Sequence, residues 1–137
     1  MSKKIKVESL EQELNTFLKS YKKTVDEDVV QVTDKVTKEA INELKTTSPR
    51  RKGTKNNPYW RGWASKLKKR SSNNYTKVIW NKTNYQLTHL LEFGHVTRNG
   101  GRAKAIPHIR PVEEKYNAEF VDLLKQTIRR TKWHLKI

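Results

Sequence analysis

One N-terminal stretch decides the fold class, because its apolar residues are spaced to form a single helical stripe. The stretch is residues 7–46, VESLEQELNTFLKSYKKTVDEDVVQVTDKVTKEAINELKT, and its apolar positions recur at steps of three and four. We therefore predict one long helix over 7–46. Pro49 ends it, since the residue before a proline is disfavoured in the α conformation. The acidic triplet at 26–28 could open a second helix, which would kink the first near residues 24–27.

The length of this helix is itself informative. A continuous helix over residues 7–44 would be about 57 Å long, whereas a compact domain of 137 residues is roughly 37 Å across. The apolar stripe runs along the whole helix, so the overhanging part needs a cover. Either the helix folds back on itself or neighbouring subunits cover it. We expect a homo-oligomer; a two-stranded coiled coil is the second explanation, although the stripe keeps no strict heptad.

Beyond the helix, the chain alternates between loop, strand and helix patterns. Residues 48–58 contain two Pro, one Gly and four Lys or Arg, which is typical of a loop. Pro111 fits the first turn of a C-terminal helix. The sequence predicts a single α+β domain over 1–137 with a long N-terminal helix, a small antiparallel sheet, a short helix and a long C-terminal helix. After the loop, the predicted order is a hairpin (59–69 and 74–81), a short helix (84–93), a flap (95–102), a third strand (103–106) and the last helix (111–130).

Charge is concentrated in the middle of the chain. The whole sequence has 30 Lys and Arg against 14 Asp and Glu, a net charge of +16. Residues 1–49 are neutral overall, residues 50–110 carry +14 with Glu92 as their one acid, and residues 111–137 carry +2. Such a block predicts contact with a polyanion or an acidic protein surface. The predicted contact residues, in loops 48–58 and 95–102 and beside them, are Arg50, Arg51, Lys52, Lys55, Arg61, Arg98, Arg102 and Lys104.

Several classes of protein are disfavoured by composition. The sequence has no Cys, which excludes disulfides, Cys-ligated zinc and iron–sulfur clusters. No run of 18 apolar residues is present, so we expect no transmembrane helix, and the N-terminal residues lack the apolar run of a signal peptide. No Gly-x-Ser-x-Gly or phosphate-binding loop motif occurs. We therefore predict that the protein is not an enzyme, binds no cofactor and does not associate with a membrane.

Two alternative functions remain open at this point. His89, Glu92, His95 and Arg98 could serve the acid–base chemistry of a small cationic ribonuclease toxin, although their spacing is not specific. The same His and Glu residues are a weak metal motif, because Gly94 should end the helix before His95. A DNA- or RNA-binding module is the other alternative, with aromatic residues that either stack on bases or form the core face of the hairpin. The residues concerned are Tyr59, Trp60, Trp63, Tyr75 and Trp80, interleaved with Arg61, Lys66, Lys68 and Lys77.

Three motifs in the second half of the chain occur in a recognisable order. They are His89-Leu-Leu-Glu-Phe-Gly-His95, Arg98-Asn-Gly-Gly-Arg102 and Pro107-His-Ile-Arg-Pro-Val112. Together they resemble the tail-component family of long-tailed double-stranded DNA bacteriophages, the neck or tail-completion proteins of siphophages. His108 departs from the family pattern, which usually has a larger apolar or aromatic residue there. The residues of the resemblance that look structural are Glu92, Phe93, Gly94, Pro107, Arg110 and Pro111.

The resemblance implies an assembly function. Proteins of this kind form rings at the head–tail junction, between the head-closing connector and the tail tube or tail terminator, with double-stranded DNA in the lumen. It implies a six- or twelve-fold homo-oligomer located in the virion and, during assembly, in the host cytoplasm. From the residues themselves we also expect the lone acid Glu92 to pair with Arg110, which would tie the short helix to the last one.

Overall fold

The computed structural model describes residues 7–50, 58–71 and 74–134. Within these residues it contains three α-helices, one short 3-10 helix and two separate two-stranded antiparallel sheets. This arrangement confirms the α+β class. The elements are α1 (Val7–Thr47), the 3-10 helix (Tyr59–Arg61), β1 (Trp63–Ser71), β2 (Asn74–Asn81), α2 (Tyr85–Phe93), β3 (His95–Val96), β4 (Arg102–Ala103) and α3 (Ile109–His134).

Helix α1 is continuous over its 41 residues, which corresponds to about 61 Å. It runs through residues 24–27 without interruption, so the acidic triplet does not open a separate helix. Lys22 forms an ion pair with Asp26 at 3.1 Å across this region. Threonine hydroxyls along α1 donate to carbonyl groups one turn earlier, for example Thr24 to Ser20 at 3.0 Å. The helix therefore accommodates its β-branched residues and extends past the body of the protein.

The hairpin of β1 and β2 begins later than the sequence pattern predicts. Residues 59–61 form a 3-10 turn instead of the start of a strand, because Arg61 N–H donates to the Pro58 carbonyl and Gly62 N–H to the Tyr59 carbonyl, each at 3.1 Å. From Trp63, which pairs with Asn81, the register is regular up to a bulge between Leu67 and Lys69. A Cβ at position 62 would collide with the Asn81 and Thr83 side chains, so glycine is needed there.

The core lies where the C-terminal half of α1 meets the hairpin and α3. Its buried members are Ala40, Leu44, Tyr59, Trp63 and Val112. Partly buried side chains from all the large elements pack around them, namely Ile41, Ile79, Leu91, Ile109 and Tyr116. The core therefore lies against the C-terminal half of α1, where Val32 and Val36 are also buried.

Polar side chains fix the geometry around this core. The Trp63 indole Nε1 donates to Ser48 Oγ at 2.7 Å, which holds the end of α1 against β1. Asn81 is the most deeply buried large side chain; its Nδ2 donates to the Tyr59 carbonyl at 2.7 Å. Its Oδ1 accepts from the N–H of Asn84 at 2.9 Å, just before α2. These bonds determine where α2 starts relative to the hairpin.

Helix α3 begins at Ile109, two residues before Pro111, which occupies the first turn as predicted. It extends to His134, four residues beyond the expected end. The small pair β3–β4 forms the flap predicted between α2 and α3. The third strand predicted at 103–106 is wrong, because β4 ends at Ala103. Among the described residues, no helix is long and apolar enough to cross a membrane.

Candidate functional site

The carboxylate of Glu92, in the last turn of α2, caps the N-terminus of α3. One oxygen accepts from the N–H groups of His108 and Ile109, each at 2.9 Å, and the other from Arg110 N–H at 3.0 Å. Glu92 is only 7% exposed. A carboxylate bonded to successive amides at the positive end of a helix is strongly favoured. Glu92 thus ties α2 to α3 through the main chain.

The expected ion pair between Glu92 and the Arg110 side chain is therefore wrong. The Arg110 guanidinium points outward, 81% exposed, and its Nε donates to Glu114 Oε1 at 3.0 Å. The positive partner of Glu92 is the helix N-terminus, of which Arg110 supplies one backbone N–H. The sequence did contain a signal for this: residue 108, just before α3, is His rather than a capping Ser, Thr, Asp or Asn. The first amides of α3 consequently need an acceptor from another element.

The hydrogen bonds that Glu92 accepts stabilise its charged form by more than burial destabilises it. Burial raises the pKa of a carboxyl, but the hydrogen bonds from the N–H groups of Ile109, His108 and Arg110 lower it, and the net pKa lies below its ordinary value. Glu92 is therefore a structural anion at neutral pH.

His108 continues this network into the core. Its ring is 3% exposed, with Nδ1 lying 2.8 Å from the Ile106 carbonyl and 3.1 Å from Glu92 Oε2. Both neighbours are acceptors, so Nδ1 carries a proton, and in the neutral ring Nε2 accepts from the Tyr59 hydroxyl at 2.7 Å. Burial, followed by the charge of Glu92, raises the pKa of Tyr59. The departure from the family pattern at residue 108 is thus a deeply packed, hydrogen-bonded histidine.

Gly94 gives α2 its abrupt end. Its φ of 77° and ψ of 173° fall in a region that is essentially restricted to glycine. A Cβ there would lie 2.6 Å from the Ala103 carbonyl oxygen. The turn lets Ile106 N–H reach back to the Leu91 carbonyl at 2.7 Å. The other motif residues, Phe93, Pro107 and Pro111, are exposed.

The predicted basic contact residues fall into two groups. Arg50 and Arg61 are exposed and place their guanidinium groups over the Trp60 ring, 4.1 and 5.1 Å from its centroid. A second group, exposed on or beside the β3–β4 hairpin, consists of Arg98, Arg102 and Lys104. Arg51, Lys52 and Lys55 lie outside the described residues.

Strand β1 carries further exposed cations, of which Lys66 and Lys68 were named from the sequence only for the nucleic-acid-binding alternative. The exposed cations of β1 are Lys66, Lys68, Lys69 and Arg70. Lys66 Nζ lies over the Trp80 ring at 4.4 Å, and Lys77 pairs with Asp34 of α1 at 2.6 Å. The hydrogen bond from Lys77 lowers the pKa of Asp34, and Asp34 in turn raises the pKa of Lys77.

The aromatic residues of the hairpin region fall into two sets, one buried in the core and one half-buried beside positive charge. Tyr59 and Trp63 are buried in the core, with their rings edge-on at 5.6 Å. Trp60 and Trp80 are half-buried, and cationic side chains lie over them. The hairpin thus has an aromatic core face and, apart from it, two tryptophans next to positive charge.

The residues considered for catalysis or metal binding do not form a reactive cluster. Glu92 is committed to the cap of α3, and the exposed His89 ring packs against Phe93 at 5.0 Å between centroids. His95 Nδ1 is buried without a hydrogen-bond partner. In the part of the chain that the structure describes, no group of three or more His, Asp or Glu could hold a metal ion.

Among the described residues, two groups of neighbouring apolar side chains are exposed, in addition to separate positions such as Leu67 and Val121. The first lies on residues 9–28 of α1, here named the α1 arm, where Leu10, Leu14 and Leu18 are each about half exposed and Phe17, Tyr21 and Val25 are partly buried. The second, here named the α2 patch, comprises Leu87, Leu90, Phe93 and Val96, which are 37–68% exposed. Large uncovered apolar surfaces on a small protein indicate contact with other protein chains.

A small α+β protein with uncovered apolar surfaces and a basic body has the features of an assembly subunit. Residues 12–94, more than half of the chain, match the family model described as "Bacteriophage HK97-gp10, putative tail-component". The chain belongs to this family, and it is accordingly a tail component and a virion protein of a bacteriophage. The match covers most of α1, the hairpin and α2, and it ends at Gly94. No curated protein and no solved structure matches the chain.

Proposed function

We propose that the chain is a ring-forming structural subunit at the head–tail junction of the phage, required to join head and tail. The observation that carries this proposal is the α1 arm. It extends beyond the core with Leu10, Leu14 and Leu18 at 52–54% exposure, in a protein that belongs to a tail family. An exposed apolar stripe of this length marks a site of contact with another protein chain.

The proposed partners are further copies of the chain, in a six- or twelve-fold ring, with the head-closing connector on one side and the tail tube or tail terminator on the other. The subunit would assemble in the host cytoplasm and remain in the neck of the virion. Its role is structural, without catalysis or a cofactor.

The charge distribution supports DNA passing through the ring. The segment 50–110 has a net charge of +14, and its one acid, Glu92, is buried in the cap of α3. The cations of β1 and of the β3–β4 hairpin are therefore exposed without a carboxylate from their own segment. Such a surface attracts phosphates and is sensitive to salt. Arg50, Arg61, Arg98, Arg102 and Lys104, with Arg51, Lys52 and Lys55, are the proposed contacts to DNA or an acidic neighbour.

A nucleic-acid-binding module is the second candidate, favoured by one observation. Trp60 and Trp80 each lie under a cation, at 4.1 Å from Arg50 and 4.4 Å from Lys66. This combination suits phosphate contact with bases close by. The ring function remains the better proposal, because DNA binding alone leaves both apolar surfaces uncovered.

The decisive experiment is genetic. A phage that lacks the chain should accumulate DNA-filled heads and separate complete tails, and the chain supplied in trans should restore joined particles. Deletion of residues 50–57 should also abolish joining, while a matched substitution of the exposed Asn99 by Ser should not. Joined, infective particles in the absence of the chain would contradict the proposal.

A biophysical test separates the two candidates. A nucleic-acid module is expected to be a monomer that binds DNA with an affinity falling steeply with salt. A ring subunit is expected to associate through apolar contacts, with a mass that does not depend on DNA. Light scattering at low and high salt, with and without DNA, distinguishes these outcomes.

A further inference from the structure

The two uncovered apolar surfaces lie far apart on the molecule. Leu91 of α2 packs against the core cluster that contains Leu44, so the α2 patch lies near the C-terminal end of α1. Leu14 of the α1 arm precedes Leu44 by 30 positions of a continuous helix, a distance of about 45 Å. The arm therefore cannot reach the patch of its own chain. Any contact between these two surfaces is a contact between copies.

The two surfaces also differ in charge. The described side chains of the α1 arm, residues 9–28, include five acids and three lysines. The segment around the α2 patch, residues 82–110, has five basic residues and one acid, Glu92, which is buried in the α3 cap. Glu113 and Glu114 of α3 also lie near Phe93, so the surroundings of the patch keep an excess of positive charge but are not free of acids. An arm on a patch brings opposite charges together, whereas a patch on a patch brings like charges together. The acids of the arm are Glu11, Glu13, Asp26, Glu27 and Asp28, and the bases around the patch are Lys82, Arg98, Arg102, Lys104 and Arg110.

Both surfaces have the shape that such a contact needs. Leu10, Leu14 and Leu18 follow one another at four-residue steps, which makes one ridge along the arm. Leu87, Leu90 and Phe93 follow at three-residue steps along α2, and Val96 extends them into β3. A helix ridge packed against another helix is the commonest way to bury such stripes.

We propose that the α1 arm of one copy docks on the α2 patch of the next copy. This inference rests on the proposed ring function and names the two surfaces that build the ring. The contact is heterologous, since each chain offers a different surface to each neighbour, and repetition of a heterologous contact builds a ring when the rotation between neighbours closes. It covers both apolar surfaces at once, which an arm-to-arm contact does not.

The absence of cysteine from the chain allows a direct test by disulfide trapping. Leu14→Cys and Leu90→Cys are made as separate chains, mixed, and oxidised. The proposal expects a disulfide between residue 14 of one chain and residue 90 of the other. Disulfide-linked dimers of two identical chains should form in much lower yield. Thr16→Cys mixed with Leu90→Cys is the matched control, because residue 16 lies about 200° around the helix from residue 14. A dominant 14–14 disulfide, or equal yields from residues 14 and 16, would overturn the proposal.

Complementation of two blocked variants gives the second test. One chain carries Leu14→Lys and Leu18→Lys in the arm, and the other carries Phe93→Lys and Val96→Lys in the patch. All four positions are at least half exposed, so both variants should keep the unfolding transition of the parent chain. Each alone should be monomeric by light scattering. Their mixture should give a one-to-one dimer and nothing larger, because it retains one intact arm and one intact patch.

The outcomes separate this inference from the proposed function. A patch variant that keeps the parent oligomer, a mixture without dimer, or a parent chain that is monomeric at high concentration would overturn the arm-to-patch contact. None of these results affects the test of head–tail joining, which is made in the phage. Joined, infective particles from a phage that lacks the chain, with arm-to-patch dimers intact in solution, would instead contradict the proposed function and leave the contact standing.

Discussion

The two halves of α1 have the same apolar spacing and opposite fates. In the C-terminal half, Val36, Ala40 and Leu44 are 3–7% exposed, covered by the hairpin and α3. In the N-terminal half, Leu10 and Leu14 are both 54% exposed. The comparison shows that periodicity identifies which face of a helix is to be buried, but not which chain buries it. A stripe that continues past its own core indicates an intermolecular contact.

The largest effect should come from truncating equivalent residues in the two halves. Leu44→Ala should lower the free energy of unfolding by about 2–5 kcal/mol, since it opens a cavity in the core. Leu14→Ala should change the stability of the unassembled chain by no more than about 0.5 kcal/mol. Urea unfolding of dilute protein measures both. Similar losses for the two variants would mean that the arm is already covered in the monomer.

The Glu92 cap holds α3 in the position from which it covers the C-terminal half of α1. Glu92→Ala should cost about 3 kcal/mol, because it leaves buried amides of α3 without an acceptor. Glu92→Gln, which keeps one carbonyl oxygen, should cost less. A loss as small as that of an exposed α3 residue such as Glu114→Ala would show that the cap is dispensable.

The same residue should make the stability depend on pH. The pKa of Glu92 is lowered in the folded chain from its ordinary value of 4.5. Its contribution is therefore fully present above that value and is lost as the pH falls through the lower, folded pKa. Unfolding measured between neutral pH and pH ~3 should show a steeper acid loss in the parent chain than in Glu92→Gln. Parallel pH profiles would contradict this assignment.

Gly94 supports the same junction with a smaller contribution. Gly94→Ala should cost about 1–3 kcal/mol, because the conformation is nearly glycine-only and the new Cβ meets the Ala103 carbonyl. Gly100→Ala is the control, since Gly100 also has a positive φ, of 79°, but open space around it. Its cost should be about 1 kcal/mol. Thermal unfolding of the two variants checks the order.

The smallest effect is expected for the ion pair that joins α1 to the hairpin. Asp34 of α1 accepts from Lys77 at 2.6 Å and from the Tyr75 hydroxyl at 2.8 Å, with its side chain 45% exposed. A double-mutant cycle of Asp34→Asn and Lys77→Met should give a coupling of at most about 1 kcal/mol, reduced by salt. A larger coupling would mean that this ion pair, rather than apolar burial, anchors the hairpin to α1.

The parts of the fold that local patterns encode could be predicted from the sequence. The spacing in α1, the glycine at the end of α2 and Pro111 in the first turn of α3 each determine local structure directly. The 3-10 turn at Tyr59 was missed, because main-chain hydrogen bonds from Arg61 to the Pro58 carbonyl and from Gly62 to the Tyr59 carbonyl override the strand-like composition.

The candidate site was less accessible to sequence reasoning. Glu92 was recognised as a lone acid with a structural role, but its partner is a set of backbone amides, and composition does not reveal backbone partners. The α2 patch was missed for a similar reason, since Leu90 and Leu91 are adjacent in sequence and only the packing shows which of them faces the core.

The central claim is that assembly covers the half of α1 that the chain itself leaves exposed. The most direct test measures the alkylation rate of Leu14→Cys, with Thr16→Cys as control, in the free chain and in purified phage particles. We expect both positions to react in the free chain, and position 14 to become strongly protected in the particle while position 16 stays reactive. Equal reactivity of residue 14 in the free chain and in the particle would contradict the claim.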